Sequence, residues 1–200
     1  MLIHAIMPAS RANGPGLRCV VFVQGCNLNC AACFNPWSHT FHGPELAIEA
    51  ILAELMNCHS QYSVDGVTFS GGEPMQQADD LADLLQGLRS ALPALSLGMF
   101  TGYSEKELET GRYFTTHGID RDRRRTLWRS IRSYVDFAVM GRFNRLQPSE
   151  AAMRTSANQV LRLFSGRYSE SDFGEQTVEI TIAADGLTRT TGFPTFGNPA

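Results

Sequence analysis

The chain has 200 residues, 43% of them hydrophobic, and a formal net charge of -3, which is typical of one globular domain. A domain of this length buries roughly 70% of the surface that its unfolded chain exposes, so a single core is expected. The acidic balance argues against a nucleic-acid partner, and the lack of a long apolar run argues against a membrane span or leader, so we expect a cytoplasmic protein.

Hydrophobic periodicity predicts strands alternating with helices along most of the chain. Strands are indicated by short β-branched runs, and helices by apolar residues at helical spacing. In chain order the predicted elements are a strand at 18–24, a helix starting at Pro44, a strand at 64–69, a helix around 81–88 closed by Pro93, a strand at 95–100, a helix capped by Ser104 and Glu107, a helix at 121–132, a strand at 134–139 and a last parallel strand near 159–164.

This alternation predicts an α/β fold, a partial (open) parallel β/α barrel with helices outside. Five or six units are too few to close an eightfold barrel. In parallel barrels the active site gathers at the carboxyl ends of the strands. The loops after the first three strands should therefore meet on one rim.

The C-terminal tail differs in character from the core, which we place at about 13–165 of a single domain. Residues 177–182 alternate polar and apolar side chains, Ala184, Asp185 and Gly186 supply a turn, and residues 187–191 return. This pattern predicts a β-hairpin extension at about 175–195. Its role stays open between a dimer edge, a lid, part of a substrate cleft and a structural cap.

Three of the five cysteines, Cys26, Cys30 and Cys33, crowd into one loop after the first predicted strand. An odd number of cysteines with this clustering fits a metal site in a reducing compartment better than disulfides. A cubane iron–sulfur cluster normally takes four thiolates, so three would leave one iron open for a substrate. Cys19 and Cys58 are expected to be ordinary buried thiols.

A zinc site is the alternative for the same loop. His39 or His42 could join the three cysteines in a closed, tetrahedral Cys3His site, which would make the chain an interaction module. Zinc modules usually pair two C-x2-C knuckles, and this alternative does not explain the SGGEP segment at 70–74.

Five segments together resemble the radical S-adenosylmethionine (SAM) superfamily, specifically its compact glycyl-radical activating enzymes, and most closely the activases of anaerobic ribonucleotide reductase. They occur in the order seen in those enzymes and span residues 13–159. The segments are NGPGLRCVVFVQGCNLNCAACFNP, SGGEP, FTGYSEKEL, VDFAVMGRF and SANQ. The hairpin is the main departure, because those activases usually end soon after the last segment.

The resemblance implies a radical SAM oxidoreductase with one [4Fe-4S] cluster, held by Cys26, Cys30 and Cys33, and SAM as the second cofactor. The fourth iron would chelate SAM, whose reductive cleavage yields a 5′-deoxyadenosyl radical. The resemblance also implies that SAM is held by Gly71 and Gly72 at its amino group, by Glu73 through its negative charge, by Ala32 and Phe34 against adenine, and by Thr101, Asn158 and Gln159.

The implied partners are a glycyl-radical enzyme, which would receive the radical, and a flavodoxin-like or other low-potential electron donor. A radical SAM enzyme acting on a peptide or small molecule is the alternative within the same class. The turn at 13–16 is either a plain turn or a partner contact. Six arginines at 121–132 form either a solvated helix face or a docking patch for an acidic partner.

Overall fold

The computed structural model describes residues 1–182, 186 and 188–193. Its elements follow the alternation expected from the sequence, with an additional strand at the start. They are β1 (Ile3–Ser10), β2 (Arg18–Val23), α1 (Ile48–Tyr62), β3 (Gly66–Gly71), α2 (Ala78–Ala91), β4 (Ser96–Thr101), α3 (Glu105–Glu109), α4 (Arg121–Tyr134), β5 (Phe137–Met140), β6 (Val160–Leu163), β7 (Val178–Ile182) and β8 (Thr188–Gly192).

Six strands form one sheet in the order β1-β2-β3-β4-β5-β6. The four central strands are parallel, as predicted, with Val20 beside Thr68 and Phe69 beside Met99. No ladder among the described strands joins β1 to β6, so the sheet is open. The curvature of a partial barrel stays a prediction.

Both edge strands depart from the sequence prediction. Strand β6 is antiparallel to β5, not parallel, since the segment between them contains no crossover helix, which a parallel connection requires. Strand β1, antiparallel to β2, was not predicted. It contains Pro8 and lacks a regular alternation of buried and exposed residues. Because of both features, the sequence pattern does not indicate a strand here.

Helix α1 begins at Ile48, four residues later than predicted from Pro44. Tertiary pairing explains the delay, because Glu45 bridges to Leu2 and the Leu46 amide donates to the Met1 carbonyl at 3.0 Å. The capping box that Ser104 makes with Glu107 at the start of α3 is confirmed.

Helices α1, α2 and α4 cover one face of the sheet and enclose the main core. Cys19 of β2 and Cys58 of α1 are buried in it, as expected. Among the described residues, no helix is both long enough and apolar enough to cross a membrane.

A fully buried arginine, Arg18 of β2, anchors the turn at 13–16 to the sheet. Its guanidinium donates to Thr68 Oγ1 at 2.6 Å, to the Pro15 carbonyl at 3.0 Å and to Ser96, and it lies 5.1 Å from the ring centroid of Phe137. Thr68 in turn donates to the Asn13 carbonyl at 2.7 Å. These bonds hold the turn in one position against β2, β3 and β4.

The arginines of α4 are engaged mostly within the chain. Arg123 pairs with Asp79 and Arg132 with Glu109, and the other internal partners are the Thr110 carbonyl for Arg121, the Tyr113 carbonyl for Arg124 and Asp122 for Arg125. This pattern favours a solvated structural face over a docking patch.

The predicted hairpin is present, with β7 antiparallel to β8 and Ile180 opposite Thr190. Ala184, Asp185 and Leu187 of the predicted turn region lie outside the described residues. The C-terminal segment also contributes Phe173 to a second, small core with Phe137, and Phe193 packs at its border.

Candidate metal centre and active-site cleft

A cleft of about 580 Å³ opens where the parallel strands end. Three loops meet in it, those after β2, β3 and β4, as the α/β pattern predicted. Of the residues expected at the site, those that line the cleft are Cys26, Cys30, Ala32, Cys33, Phe34, Gly71, Gly72, Glu73, Thr101 and Gln159.

The cysteine loop is shaped by local backbone geometry. Asn29 and Ala32, which lie between successive cysteines, adopt left-handed conformations with φ of 49° and 60°. The Cys26 amide donates to the His39 carbonyl at 3.0 Å, and the Cys33 amide to the Cys30 carbonyl at 3.2 Å. All five cysteines lie among the described residues as free thiols, and the three in the loop are half-buried in the wall of one cleft.

Burial keeps two of these thiols protonated in the free chain. Loss of solvent raises the pKa of Cys26 to about 11, against the opposing hydrogen bond from the Leu28 amide. Burial likewise raises the pKa of Cys30, with the Phe143 amide and Arg142 opposing it. Since a thiolate is the metal ligand, binding a metal here must release protons.

Three thiols and the imidazole of His39 are the metal-binding groups in this part of the cleft. In the described part of the chain, no group of three or more His, Cys, Asp or Glu side chains is arranged around one metal ion. A four-iron cluster carries its ligands on separate corners and spaces the sulfurs more widely than one zinc ion does. His39 borders the cleft beside the three cysteines, so metal content decides between the cluster and the Cys3His zinc alternative.

The glycine turn after β3 is bonded directly to the start of the cysteine loop. The Gly72 amide donates to the Val23 carbonyl at 2.8 Å and the Glu73 amide to the Gly25 carbonyl at 2.9 Å. Gly71 has a φ of +96°, and a Cβ on Gly72 would lie 2.4 Å from the Gly25 oxygen. Only glycine at position 72 allows the two loops to approach this closely.

Glu73 joins the turn after β3 to the end of β4. Its carboxylate accepts hydrogen bonds from the Met75 amide at 2.9 Å, from Thr101 Oγ1 at 2.7 Å and from the Gly102 amide at 2.6 Å. Burial raises the pKa of Glu73 to about 7, although these donors and Arg142 oppose the shift. A buried carboxylate here is suited to neutralise a cationic group in the cleft.

Asn158 and Gln159 differ in position. Gln159 lines the cleft, but its side-chain oxygen accepts from Thr155 and its nitrogen donates to the Gly141 carbonyl at 3.2 Å. Asn158 is outside the described cleft lining, and its amide donates to the Arg142 carbonyl at 2.8 Å. Both side chains thus brace the segment between β5 and β6.

Several cleft residues were missed by the sequence analysis. Phe143 packs on Phe34 with ring centroids 4.8 Å apart, and Trp37 lies at the rim with 81% of its surface exposed. The hairpin and the residue after it add a further part of the wall, consisting of Thr190, Thr191, Gly192 and Phe193. Alternation predicted the hairpin, but nothing in the local sequence indicated what it packs against.

Comparison with known proteins agrees with this site. The family of 4Fe-4S single cluster domains matches residues 12–162. These residues include the cysteine loop, the glycine turn, strands β2 to β5 and all but the last residue of β6, whereas β1 lies outside them. The match defines the chain as an iron–sulfur protein and ends before the hairpin.

The curated relatives of this chain are activating enzymes. The anaerobic ribonucleoside-triphosphate reductase-activating protein of Vibrio cholerae is 30% identical over 82% of this chain and 99% of that protein. That of phage T4 is 25% identical, over 78% of this chain and 90% of the relative. The pyruvate formate-lyase-activating enzyme of Clostridium pasteurianum is 39% identical over 52% of this chain, which spans only 46% of that enzyme. This chain belongs to the radical SAM family of glycyl-radical activating enzymes.

Proposed function

We propose that this enzyme binds one [4Fe-4S] cluster and SAM, cleaves SAM reductively and generates a glycyl radical on a partner protein. The observation that carries the proposal is the single cleft lined by three free cysteines and by the Gly71-Gly72-Glu73 turn. The names of the relatives support a glycyl-radical enzyme as the partner.

A bound cluster would supply the electron for reductive cleavage of SAM to methionine and a 5′-deoxyadenosyl radical, which would take a hydrogen atom from a glycine Cα. In this chain Cys26, Cys30 and Cys33 would hold three irons. Thiolates are soft donors suited to iron–sulfur clusters, and three of them would leave one iron free to bind SAM.

The chain's own residues orient the ligands and exclude water. The turn at Gly71 and Gly72 presents backbone without side chains beside the cysteine loop. Glu73 is held by three donors and supplies negative charge toward a cationic ligand. Phe34 and Phe143 form an apolar wall near Cys33, which limits access of water to the cleft.

An electron must reach the cluster from outside, so the proposal includes a low-potential donor such as a flavodoxin-like protein. The hairpin wall lies outside the matched residues and enters the cleft, an observation that favours a target different from those of the relatives. A peptide or small-molecule target is therefore the second candidate.

The test is anaerobic reconstitution with iron and sulfide, reduction with dithionite and detection of 5′-deoxyadenosine by mass spectrometry. The native chain should bind about four irons and form the product. Cys30→Ala should lose cluster and product. Cys58→Ala is the matched control: it removes a buried thiol of α1 outside the cleft and should retain both.

Product from Cys30→Ala would refute the cluster assignment. A native chain that takes up zinc and no labile sulfide would refute the proposal as a whole. With product established, deuterium transfer from α-deuterated glycine in a candidate partner to 5′-deoxyadenosine identifies the target.

A further inference from the structure

One face of the C-terminal hairpin is attached to the body of the protein. Glu179 of β7 accepts hydrogen bonds from Ser10 Oγ and from the Arg11 amide, the latter at 2.8 Å. Thr191, which faces Glu179 across the hairpin, accepts from Asn13 Nδ2 at 2.9 Å. The hairpin is therefore fixed on the end of β1 and the turn that follows it.

The opposite face carries an uncharged stripe. Side chains alternate along a strand, so Val178, Ile180 and Ile182 point away from Glu179. They are 41%, 64% and 72% exposed. Their cross-strand partners are Gly192, Thr190 and Thr188, so no charged side chain lies on this face among the described residues of the hairpin.

This outer face runs directly into the cleft. Thr190 belongs to it and also lines the cleft wall, together with Thr191 of the attached face, Gly192 and Phe193, whose ring packs 5.7 Å from that of Phe100 on β4. Thr190 lies opposite Ile180 in the register of the hairpin. A chain that leaves the cleft past Thr190 therefore passes over Ile180.

We propose that the outer face of the hairpin is the recognition surface for an apolar polypeptide segment of the partner, next to the glycine that enters the cleft. This inference rests on the proposed function and specifies its substrate: the flanks of the glycine are uncharged and apolar. A charged residue beside the glycine would be desolvated against Ile180 and Ile182 without a charged group of opposite sign to pair with, which costs free energy. Exposed apolar side chains grouped on one face of a sheet are also typical of a protein interaction site.

The partner segment is favoured over a second copy of this chain because the face continues into the reaction cleft. An occupant that covers both at once has to be the chain that supplies the hydrogen atom. A second copy seated on the stripe would instead lie across the mouth of the cleft and obstruct the substrate.

The test compares the native chain with Ile180→Glu and Thr181→Glu. Thr181 is exposed on the same strand and lies on the opposite face, across from Arg189, so its substitution adds the same charge away from the stripe. The probes are two synthetic peptides with one central glycine, flanked by valine and leucine in one and by glutamate in the other. Calorimetry on reconstituted, unreduced, SAM-loaded enzyme gives Kd without turnover.

We expect the native chain to bind the apolar peptide at least tenfold more tightly than the acidic one. Ile180→Glu should raise the Kd of the apolar peptide about tenfold or more, and Thr181→Glu should change it less than twofold. Iron content and circular dichroism check that both variants fold.

Equal Kd values for the two peptides, or no effect of Ile180→Glu, would overturn the inference. So would failure of both peptides to bind a native chain that forms 5′-deoxyadenosine on reduction, a result that leaves the proposed function standing. Light scattering covers the remaining alternative: a native dimer that Ile180→Glu dissociates would make this face an interface between copies.

Discussion

The two sides of the cleft are built in different ways. The side with the cysteines and the glycine turn comes from loops that directly follow β2 and β3, and backbone hydrogen bonds at Gly72 and Glu73 lock these loops together. The opposite side is formed by β8 and Phe193, near the C-terminus, and rests on side-chain contacts with Asn13 and Phe100. The first side should therefore tolerate little change, whereas the second should tolerate more, because its contacts are made by side chains.

The largest effect is expected for Gly72→Ala, on the cysteine side. The new Cβ would meet the Gly25 oxygen at 2.4 Å and the Ser38 oxygen at 3.0 Å, both backbone atoms beside the cysteine loop. Backbone cannot move aside cheaply, so the loop has to shift at a cost of about 1–3 kcal/mol. Iron content after reconstitution should fall by at least half, and SAM cleavage about tenfold.

Gly166→Ala is the matched control for that variant, because a Cβ at position 166 would meet no atom within 4 Å. Its iron content should equal that of the native chain. Full iron content in Gly72→Ala would mean that the two sides of the cleft tolerate change equally.

Glu73→Gln should alter the pH dependence of stability. The pKa of the Glu73 carboxyl in the folded protein is raised from 4.5 to about 7. Its contribution to the free energy of unfolding is therefore fully present below pH 4.5 and is lost as the pH rises through 7. This loss should amount to roughly 3 kcal/mol in the native apo chain and be absent from the variant. Urea unfolding at pH 5 and pH 8 measures it as a difference between the two proteins.

Ligand binding sharpens the same measurement. If SAM places its cationic group beside Glu73, as proposed, saturating SAM should lower the pKa of Glu73 and flatten the slope of the native chain. An unchanged slope with SAM bound would place Glu73 away from the ligand charge. Glu49→Gln, on the exposed side of α1, serves as the charge control.

Phe193→Ala tests the opposite side of the cleft. It removes the ring contact with Phe100 and should loosen the hairpin by about 1–2 kcal/mol while leaving the main sheet intact. Hydrogen exchange should therefore speed up in β7 and β8, with protection in β2–β5 and iron content unchanged. Faster exchange in β3 would show that the hairpin supports the whole fold.

Arg129→Glu should have the smallest effect. Arg129 is exposed on α4, outside the ion pairs made by Arg123, Arg125 and Arg132. Surface substitutions of this kind usually change stability by less than about 0.5 kcal/mol. Thermal unfolding and 5′-deoxyadenosine formation should match the native chain, whereas a loss of partner activation alone would restore the docking-patch hypothesis for this helix.

The residues at the carboxyl ends of the parallel strands were predictable, because the sequence patterns that indicate these strands are local. Each parallel strand is a short apolar run, and the residues after it reach the same rim whatever the details of packing. This rule placed Cys26, Gly71 and Thr101 together. It also places Glu73 there, although only the structure shows the three donors that hold its carboxylate.

The edges of the sheet and the start of α1 could not be read in this way. Strand β6 is antiparallel and not parallel as predicted. Strand β1 was missed because an edge strand that contains Pro8 shows little alternation of polar and apolar residues. Pro44 is a good helix start, but pairing of Glu45 and Leu46 with the N-terminal residues delays α1 to Ile48. Tertiary hydrogen bonds override local preference in both cases.

Residue types and short spacings predict the cysteine loop, the glycine turn and the apolar strands, because these features depend on neighbours in the chain. Only the folded chain shows that the hairpin reaches back to Ser10 and Asn13 and becomes a wall of the same cleft. Contacts between residues more than 160 positions apart produce no periodic pattern in either segment, because they depend on which surfaces meet after the chain has folded.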